Sequence, residues 1–539
     1  MKHSVGFVLG ALVVAGCVSV GCSGTDANPG FGNGDYQPSG GDDPTSDGGT
    51  SSNSKGDGGS AKDGSSPSMP QPAPTHLMSG LSIDEVAIFQ ATKISVAKAG
   101  AAVTSPTPIV AGRDALIRLY VKPASGWSAK SVTAVLTLTT ASGMALPQVT
   151  TTQTISVAST DAAPTSTFNF TVPGSSLPVG VKFSVAISDP SASETASGTT
   201  STARFPGDGS VAVLGTQSSG AQLRVKLVPV EYAADGSNRM PDVSAAQIES
   251  YRQEMLAIYP AAKVEITVRA PFHWTTAISA SGSGFNTILQ AMVNLRQTDN
   301  APDDVYYFGA FAPSASFNNY CGGGCVTGLS GVNTQEDDAT GRASVGVGFG
   351  DDSSAVTMAH ELGHAHGRSH APCGGASGVD SHFPYATGGI GPWGYNIITK
   401  ALINPAQGKD IMGYCQPEWI SDYTYTALFN RMAFVNMAKD MVMQQLPAPT
   451  DYRFVDVAAD GSLSFGQTTT LARAPSAEAH AVTYAAVDGT VLATATGHYY
   501  KYDHLPGGFM MIPEGPVNYA TLSVQGLPAR ALTSVRRSY

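Results

Sequence analysis

Short apolar runs separated by Gly, Pro, Ser and Asp follow one another from Leu77 to Arg204: Ala115–Val121, Val132–Leu138, Phe168–Val172 and Phe183–Ile187. None carries a 3.6-residue period, so the stretch predicts strands joined by tight turns and no helix. The pattern changes after about Gly215. Leu223–Val230 predicts a strand, and Ser244-Ala245-Ala246-Gln247 has the form of a capping box, in which hydroxyl and amide satisfy backbone donors at a helix start. Val264–Val268, Val305–Phe311 and Ala343–Phe349 predict further strands. Asp351–His366 lacks proline, opens on Asp and Ser suited to N-capping and meets Gly367, which predicts a helix with an abrupt stop. Trp419-Ile420-Ser421-Asp422 opens a long helical stretch through Gln445 that Pro447-Ala448-Pro449 ends. From Thr450 alternating segments return, with a hairpin signal at Asp460-Gly461.

These patterns divide the chain into a β-sandwich of immunoglobulin-like type at 77–204, a domain of strands and helices at 215–446 and a small C-terminal β-domain at 450–539. The sandwich reads as a structural spacer in preference to a glycan- or peptide-binding module. Ahead of it, residues 23–76 are Gly, Ser, Asp and Pro with few large apolar side chains, a composition that cannot bury enough surface to offset ordering and predicts a flexible tether. Residues 1–22 hold a short positive start and an apolar stretch too short for a comfortable membrane span, the pattern of a secretory signal. Val14-Ala15-Gly16-Cys17 matches a bacterial lipobox and Ser19-Val20-Gly21-Cys22 is a rival site, so either Cys17 or Cys22 is the candidate for lipidation, with Cys17 slightly preferred. The expectation is an extracytoplasmic, membrane-anchored lipoprotein, held by acyl chains alone.

The formal net charge of −11 and pI of about 5.4 argue against nucleic acid as a partner. With the export signal set aside, Cys321, Cys325, Cys373 and Cys415 remain, consistent with an oxidising compartment, and four cysteines allow three pairings.

The chemistry sits in His360-Glu361-Leu362-Gly363-His364-Ala365-His366-Gly367-Arg368-Ser369-His370. At about 100° and about 1.5 Å per residue, His360 and His364 fall on one helix face roughly one turn apart and reach a common ion. Glu361 stands beside them, displaced from the ligand position but able to hydrogen-bond a water held there, which makes it the candidate general base. Gly367 tolerates positive φ and turns the chain so that His370 returns as a third nitrogen. Three neutral imidazoles leave a fourth position open, the arrangement of a catalytic rather than a structural zinc site. A structural site would be closed by a fourth side chain and would have no use for Glu361. His366 and His382 read as neighbours, not ligands.

The pattern HExxHxxGxxH, present at His360, Glu361, His364, Gly367 and His370, resembles that of the metzincin clan of zinc endopeptidases, and Asp410-Ile411-Met412-Gly413-Tyr414 resembles the clan's Met-turn. Gametolysin-like and mucin-cleaving bacterial metzincins are candidate relatives. The resemblance implies Zn²⁺ as cofactor, Met412 as an apolar floor beneath the imidazoles and an α+β domain. It further implies a mixed twisted sheet whose edge strand lies over the cleft. Ala343–Phe349 is the candidate edge, able to hold an extended substrate by strand addition. Tyr414 corresponds to a tyrosine that in astacin-like and serralysin-like members contacts the zinc or stabilises the oxyanion; a buried turn tyrosine is the plain alternative. Pairing Cys373 with Cys415 would clamp the Met-turn to the zinc loop and leaves Cys321 with Cys325. Phe205-Pro206-Gly207-Asp208 has the FxGD form by which astacin prosegments place an aspartate on the metal, but it reads as an ordinary turn leaving the sandwich. The expected function is hydrolysis of extracellular proteins or glycoproteins; the rival is a surface adhesin that binds glycoprotein and keeps a non-catalytic zinc site.

Overall fold

The computed structural model describes residues 76–189, 201–220, 222–438, 448–527 and 530–531. The signal region, Cys17, Cys22 and the tether to residue 75 lie outside the described residues, as does the end of the last helical stretch at 439–447.

The N-terminal strands form two sheets over one apolar core. Leu81–Phe89 pairs antiparallel with Ala91–Lys98 and with Ala115–Pro123, which in turn pairs with Phe168–Val172. Facing them, Lys130–Thr139 lies between Val149–Ile155 and Lys182–Ser188. Lys182–Ser188 alternates as a half-buried strand should, with Phe183, Val185 and Ile187 inside. Ala115–Val121 is apolar nearly throughout because both of its faces are covered. One looks into the sandwich; the other packs Leu116 and Tyr120 against Tyr395 and Ile397 from the middle of the chain. Gly394-Tyr395 extends this sheet by pairing with Ala91-Thr92.

The sandwich is thereby joined to the central domain, and buried polar side chains reinforce the junction. Arg113, 1% exposed, donates to the carbonyls of Ala261 and Ala257 at 2.8 and 2.9 Å, and the Trp419 indole N–H donates to Ala91 O at 2.7 Å.

In the central domain Val264–Val268, Leu223–Tyr232, Val305–Phe311 and Ala343–Val347 lie parallel in that order, and Gly328–Ser330 is added antiparallel beyond Ala343–Val347. The expected edge strand is therefore corrected: Ala343–Val347 is interior and fully buried, and Gly328–Ser330 lies outside it. Three residues that include Gly and Ser carry no strand periodicity, so the outer strand leaves no trace in the sequence pattern. The helices Ala245–Ile258 and Asp352–Ala365 cover one sheet face through Met255, Ile258, Met358 and Leu362. A helix at Phe285–Thr298, absent from the sequence reading, covers the other through Phe285, Ile288, Leu289 and Met292. Its N-cap is Gly284 at φ 88°, without the Ser, Thr, Asn or Asp that announces a helix start. Half of the expected capping box is formed: Gln247 N–H donates to the Ser244 hydroxyl at 3.3 Å, but Ser244 N–H donates to the Asp242 carboxylate at 2.8 Å and the Gln247 side-chain amide to Asp351 O at 3.2 Å.

The C-terminal strands make a seven-stranded sheet in which Val491–Lys501 and Gly508–Pro513 form a hairpin. This sheet has no separate existence from the central domain on its inner side: Tyr452, Phe454, Tyr500, Tyr502, Phe509 and Met511 share one core with the Phe285–Thr298 helix and the central sheet. Among the described residues no helix is long and apolar enough to cross a membrane.

Candidate metal centre

Asp351 caps the helix Asp352–Ala365, its carboxylate accepting from Ser354 N–H at 3.0 Å. The helix is buried along most of its length, which carries His360 and His364 into the interior between the central sheet and the loops that follow. Gly367, at φ 87°, then reverses the chain. A Cβ there would lie 2.6 Å from Asn333 O and 2.7 Å from Arg431 Nη2, so the reversal tolerates only glycine on both conformational and steric grounds. His370 returns to the helix face as the spacing requires, and one potential ligand atom from each of His360, His364, His370 and His504 lies within 4.8 Å of the others.

Each of the first three imidazoles is oriented through its other nitrogen. Nδ1–H of His360 donates to Ile411 O at 2.6 Å, that of His364 to Arg368 O at 2.6 Å and that of His370 to Ser377 O at 2.5 Å. A carbonyl oxygen only accepts, so all three rings carry their proton on Nδ1 and present the Nε2 lone pair inward. The Nε2 atoms of His360 and His364 are 3.0 Å apart. Burial, followed by the neighbouring imidazoles, holds His360 and His364 well below the usual histidine range, and burial pulls His370 down to about 4. Neutral imidazole is the ligand form. The donor set fits a borderline cation such as zinc: three tautomerically fixed nitrogens converge on one point.

Met412 packs beneath this helix. A Cβ on Gly363 would meet its Sδ at 2.5 Å, so the missing side chain at Gly363 is what lets the thioether lie against the helix between the ligands. Asp410 shapes the turn by accepting from Met412 N–H and Ser421 N–H, each at 2.9 Å, and Ala371 N–H donates to Met412 O at 2.8 Å. Cys373 is bonded to Cys415 and Cys321 to Cys325. The first of these joins the segment after His370 to the one after Tyr414, and Tyr414 N–H donates to Cys373 O at 3.2 Å. Tyr414 reaches the centre: its hydroxyl is 3.1 Å from His370 Nε2 and hydrogen-bonds His504 Nδ1.

Glu361 is 1% exposed, and burial pushes its carboxyl up to about 8, against a lowering contribution from Asp503. Its Oε1 would lie 2.3 Å from a Cβ on Gly328, so the outer strand needs glycine where it crosses the carboxylate. The main chain of Glu361 is tied to the sheet by the Ser344 hydroxyl, which donates to Glu361 O at 3.0 Å.

Two residues of the centre escaped the sequence reading. Asp503 and His504 sit at the tip of the C-terminal hairpin. Glu361, Asp503 and His504 each place a potential ligand atom within 4.8 Å of the others, with His504 Nε2 2.9 Å from Glu361 Oε1. Asp503 is buried, 3.4 Å from His364 Nε2, and accepts from Ser330 N–H; burial and the neighbouring Glu361 raise its carboxyl well above the usual range. The only local signal was a histidine beside Pro506-Gly507-Gly508, a turn like many others.

The remaining candidates stand apart. His366 is buried but turned away, stacked on Tyr306 at 3.9 Å between centroids and donating to Leu362 O at 2.6 Å. The His382 side chain is 87% exposed. Asp208 is exposed in a turn where it accepts from Ser210 N–H and its hydroxyl.

Residues 319–432 match the Peptidase M66 family, a span that includes His360, Glu361, His364, His370, Met412 and Tyr414 and ends before Asp503 and His504. The match supports a metallopeptidase. A comparison with curated proteins returned no match. Among solved structures, a Bacteroides fragilis protein provisionally described as a beta-galactosidase has 11% identity and a TM-score of 0.14 over 43% of this chain and 34% of its own. A calcium-binding mutant of Bacteroides uniformis beta-glucuronidase 2 has 9% identity and a TM-score of 0.13 over 45% and 25%. This chain thus spans about a third and a quarter of those chains' lengths, and neither likeness bears on its fold or activity.

Proposed function

We propose that the protein is a metzincin-type zinc endopeptidase acting on extracellular proteins or glycoproteins, exported and anchored as a lipoprotein. The observation that carries this reading is the convergence of three Nε2 lone pairs, each fixed by an Nδ1–H bond to a carbonyl, beside a buried carboxylate. His360, His364 and His370 would hold the ion. When bound, zinc supplies a Lewis acid that polarises the scissile carbonyl and lowers the pKa of a coordinated water from 15.7 toward about 7.

The chain's own residues do the rest. Glu361, buried beside the three histidines, would take the proton of the attacking water and deliver it to the departing amine. Gly328 lets the outer strand pass close to that carboxylate, so an extended substrate added to this strand has its scissile bond beside the base. The Tyr414 hydroxyl, 3.1 Å from His370 Nε2, would donate to the oxyanion.

The reading is tested by incubating the metal-reconstituted chain from Leu77 onward with denatured proteins and glycoproteins, with and without chelator. Discrete fragments that chelation abolishes and zinc restores are expected; substrates left intact by the wild-type and His504→Ala chains alike, in the presence of stoichiometric bound zinc, would favour the adhesin. For Tyr414→Phe, kcat is expected to fall by roughly 10²-fold with bound metal unchanged, the cost of one oxyanion donor. Because the same hydroxyl touches His504, the comparison belongs in the wild-type chain and in one carrying His504→Ala; an unaltered kcat in the latter removes Tyr414 from the reaction.

A further inference from the structure

The C-terminal hairpin enters the centre in the manner of a substrate. Beyond the outer strand Gly328–Ser330, whose far side would receive an extended peptide, the chain finds Lys501–Asp503 already in place. Gly331 and Tyr502 form an antiparallel bridge, Val332 N–H donates to Lys501 O at 2.9 Å and Asp503 N–H donates to Ser330 O at 3.3 Å. The Asp503 carboxylate fixes the register by accepting from Ser330 N–H at 3.1 and 3.2 Å. This register delivers the next residue, His504, onto the ligand cluster. Its ring stacks on His360 at 5.1 Å and on Tyr414 at 5.4 Å, its Nε2 is 2.9 Å from Glu361 Oε1, and its side chain is 14% exposed. The space between Glu361 and the three ligands is where an attacking water must sit, and His504 fills it.

We propose that Asp503-His504 is a built-in latch: Lys501–Asp503 occupies the substrate strand, and His504 supplies a fourth nitrogen to the metal in place of water while covering Glu361. The inference rests on the metallopeptidase reading above and adds to it that the centre is closed until the hairpin tip is displaced. Whole-domain departure is not the route. The hairpin's Tyr500, Tyr502 and Phe509 are buried in the core shared with the central domain, whereas the tip between them, Asp503 to Gly507, touches that core through the half-buried Leu505, contains Pro506 and a glycine at φ 90° and carries the blocking contacts. Displacement of the tip alone, by a competing peptide or by cleavage within it, uncovers Glu361, the histidine cluster and the Ser330 main chain, while Tyr502 keeps its bridge to Gly331. The space left beside the centre is a cavity of about 160 Å³ lined by His364, His370, Ser377, Glu478, Lys501 and Asp503, too small for an extended peptide while the tip is seated.

The test uses the Co²⁺-substituted chain from Leu77 onward, wild type, His504→Ala and the shape-conserving His504→Gln, each checked for folding by its melting curve. Visible absorption reads the ligand set, acetohydroxamate titration reads access to the open position, and cleavage of the protein panel reads turnover with Zn²⁺. The expected result is a changed cobalt spectrum, hydroxamate affinity at least tenfold tighter and cleavage at least tenfold faster in the variants, the size set by a tip seated in about 90% or more of molecules. Unchanged spectra and hydroxamate affinity in the variants would overturn the latch while leaving the peptidase reading to its own assay. A changed spectrum with slower cleavage would overturn it by making His504 a working part of catalysis. Metal retained and a changed spectrum, with no cleavage by any variant, would overturn it in favour of a closed, non-catalytic zinc site. Failure of all three proteins to bind metal would sink the peptidase reading first and the latch with it.

Discussion

Glu361→Ala is expected to reduce peptide cleavage by roughly 10²- to 10⁴-fold, the range of general acid–base catalysis, while the protein still binds one metal ion. The separation follows from the geometry. The three ligand imidazoles are each held by a backbone carbonyl and none by Glu361, so its removal leaves the metal cradle standing. Stability should not fall either. The Glu361 side chain is buried next to the Asp503 carboxyl, and its Oε2 has no hydrogen-bond partner among the described residues. Loss of such a group removes a desolvation cost as well as a catalyst. The variant is to be assayed alone and combined with His504→Ala, so that a closed centre cannot masquerade as a dead one. Turnover that survives in the double variant would reassign the base, and the group within reach is Asp503, which also faces His504.

His364→Ala has the opposite signature: activity and metal are lost together. His364 is fully buried, stands 3.0 Å from His360 through Nε2, and is the ligand nearest Asp503. Without it His360, His370 and the latch nitrogen of His504 remain, so the substitution is read in the His504→Ala chain, where two nitrogens are left; the half-buried carbonyl of Arg368 also loses its donor. For the wild-type chain, metal that binds only the folded state raises stability by about 4 kcal/mol at a thousandfold excess over Kd. The melting temperature of wild type should therefore climb with added zinc, and that of His364→Ala should not respond. A His364→Ala, His504→Ala chain that keeps stoichiometric zinc and a zinc-dependent melting temperature would mean that the ligand set is wrong.

The histidine cluster was legible because helix geometry is local. Asp351 as cap, the four-residue spacing of His360 and His364 and the stop at Gly367 are all properties of adjacent residues, and the helix forms at Asp352–Ala365. The strands Val264–Val268 and Val305–Phe311 were legible for the same reason, the first as an alternating segment and the second as an apolar run. The edge of the sheet was not. A strand's neighbours are chosen by pairing between segments distant in the chain, and the Gly328–Ser330 segment is too short to carry a period of its own. The helix Phe285–Thr298 gave no signal at its cap, although Phe285, Ile288, Leu289 and Met292 recur at helical spacing.

The division between the two sources is sharpest at the centre itself. By itself the sequence determined which residues converge within one helix and one turn: His360, Glu361, His364 and, through the positive φ of Gly367, His370. It also marked Met412 and Tyr414 as a turn to be brought beneath and beside them. Only the tertiary structure decided that a fourth histidine arrives from the C-terminal hairpin, because that meeting depends on Tyr500, Tyr502 and Phe509 entering a core with the Phe285–Thr298 helix and on a strand pairing at Gly331 and Tyr502. Local spacing dictates what a helix can present along one face. What fills the space opposite that face is set by long-range burial and pairing, which no window of neighbouring residues contains.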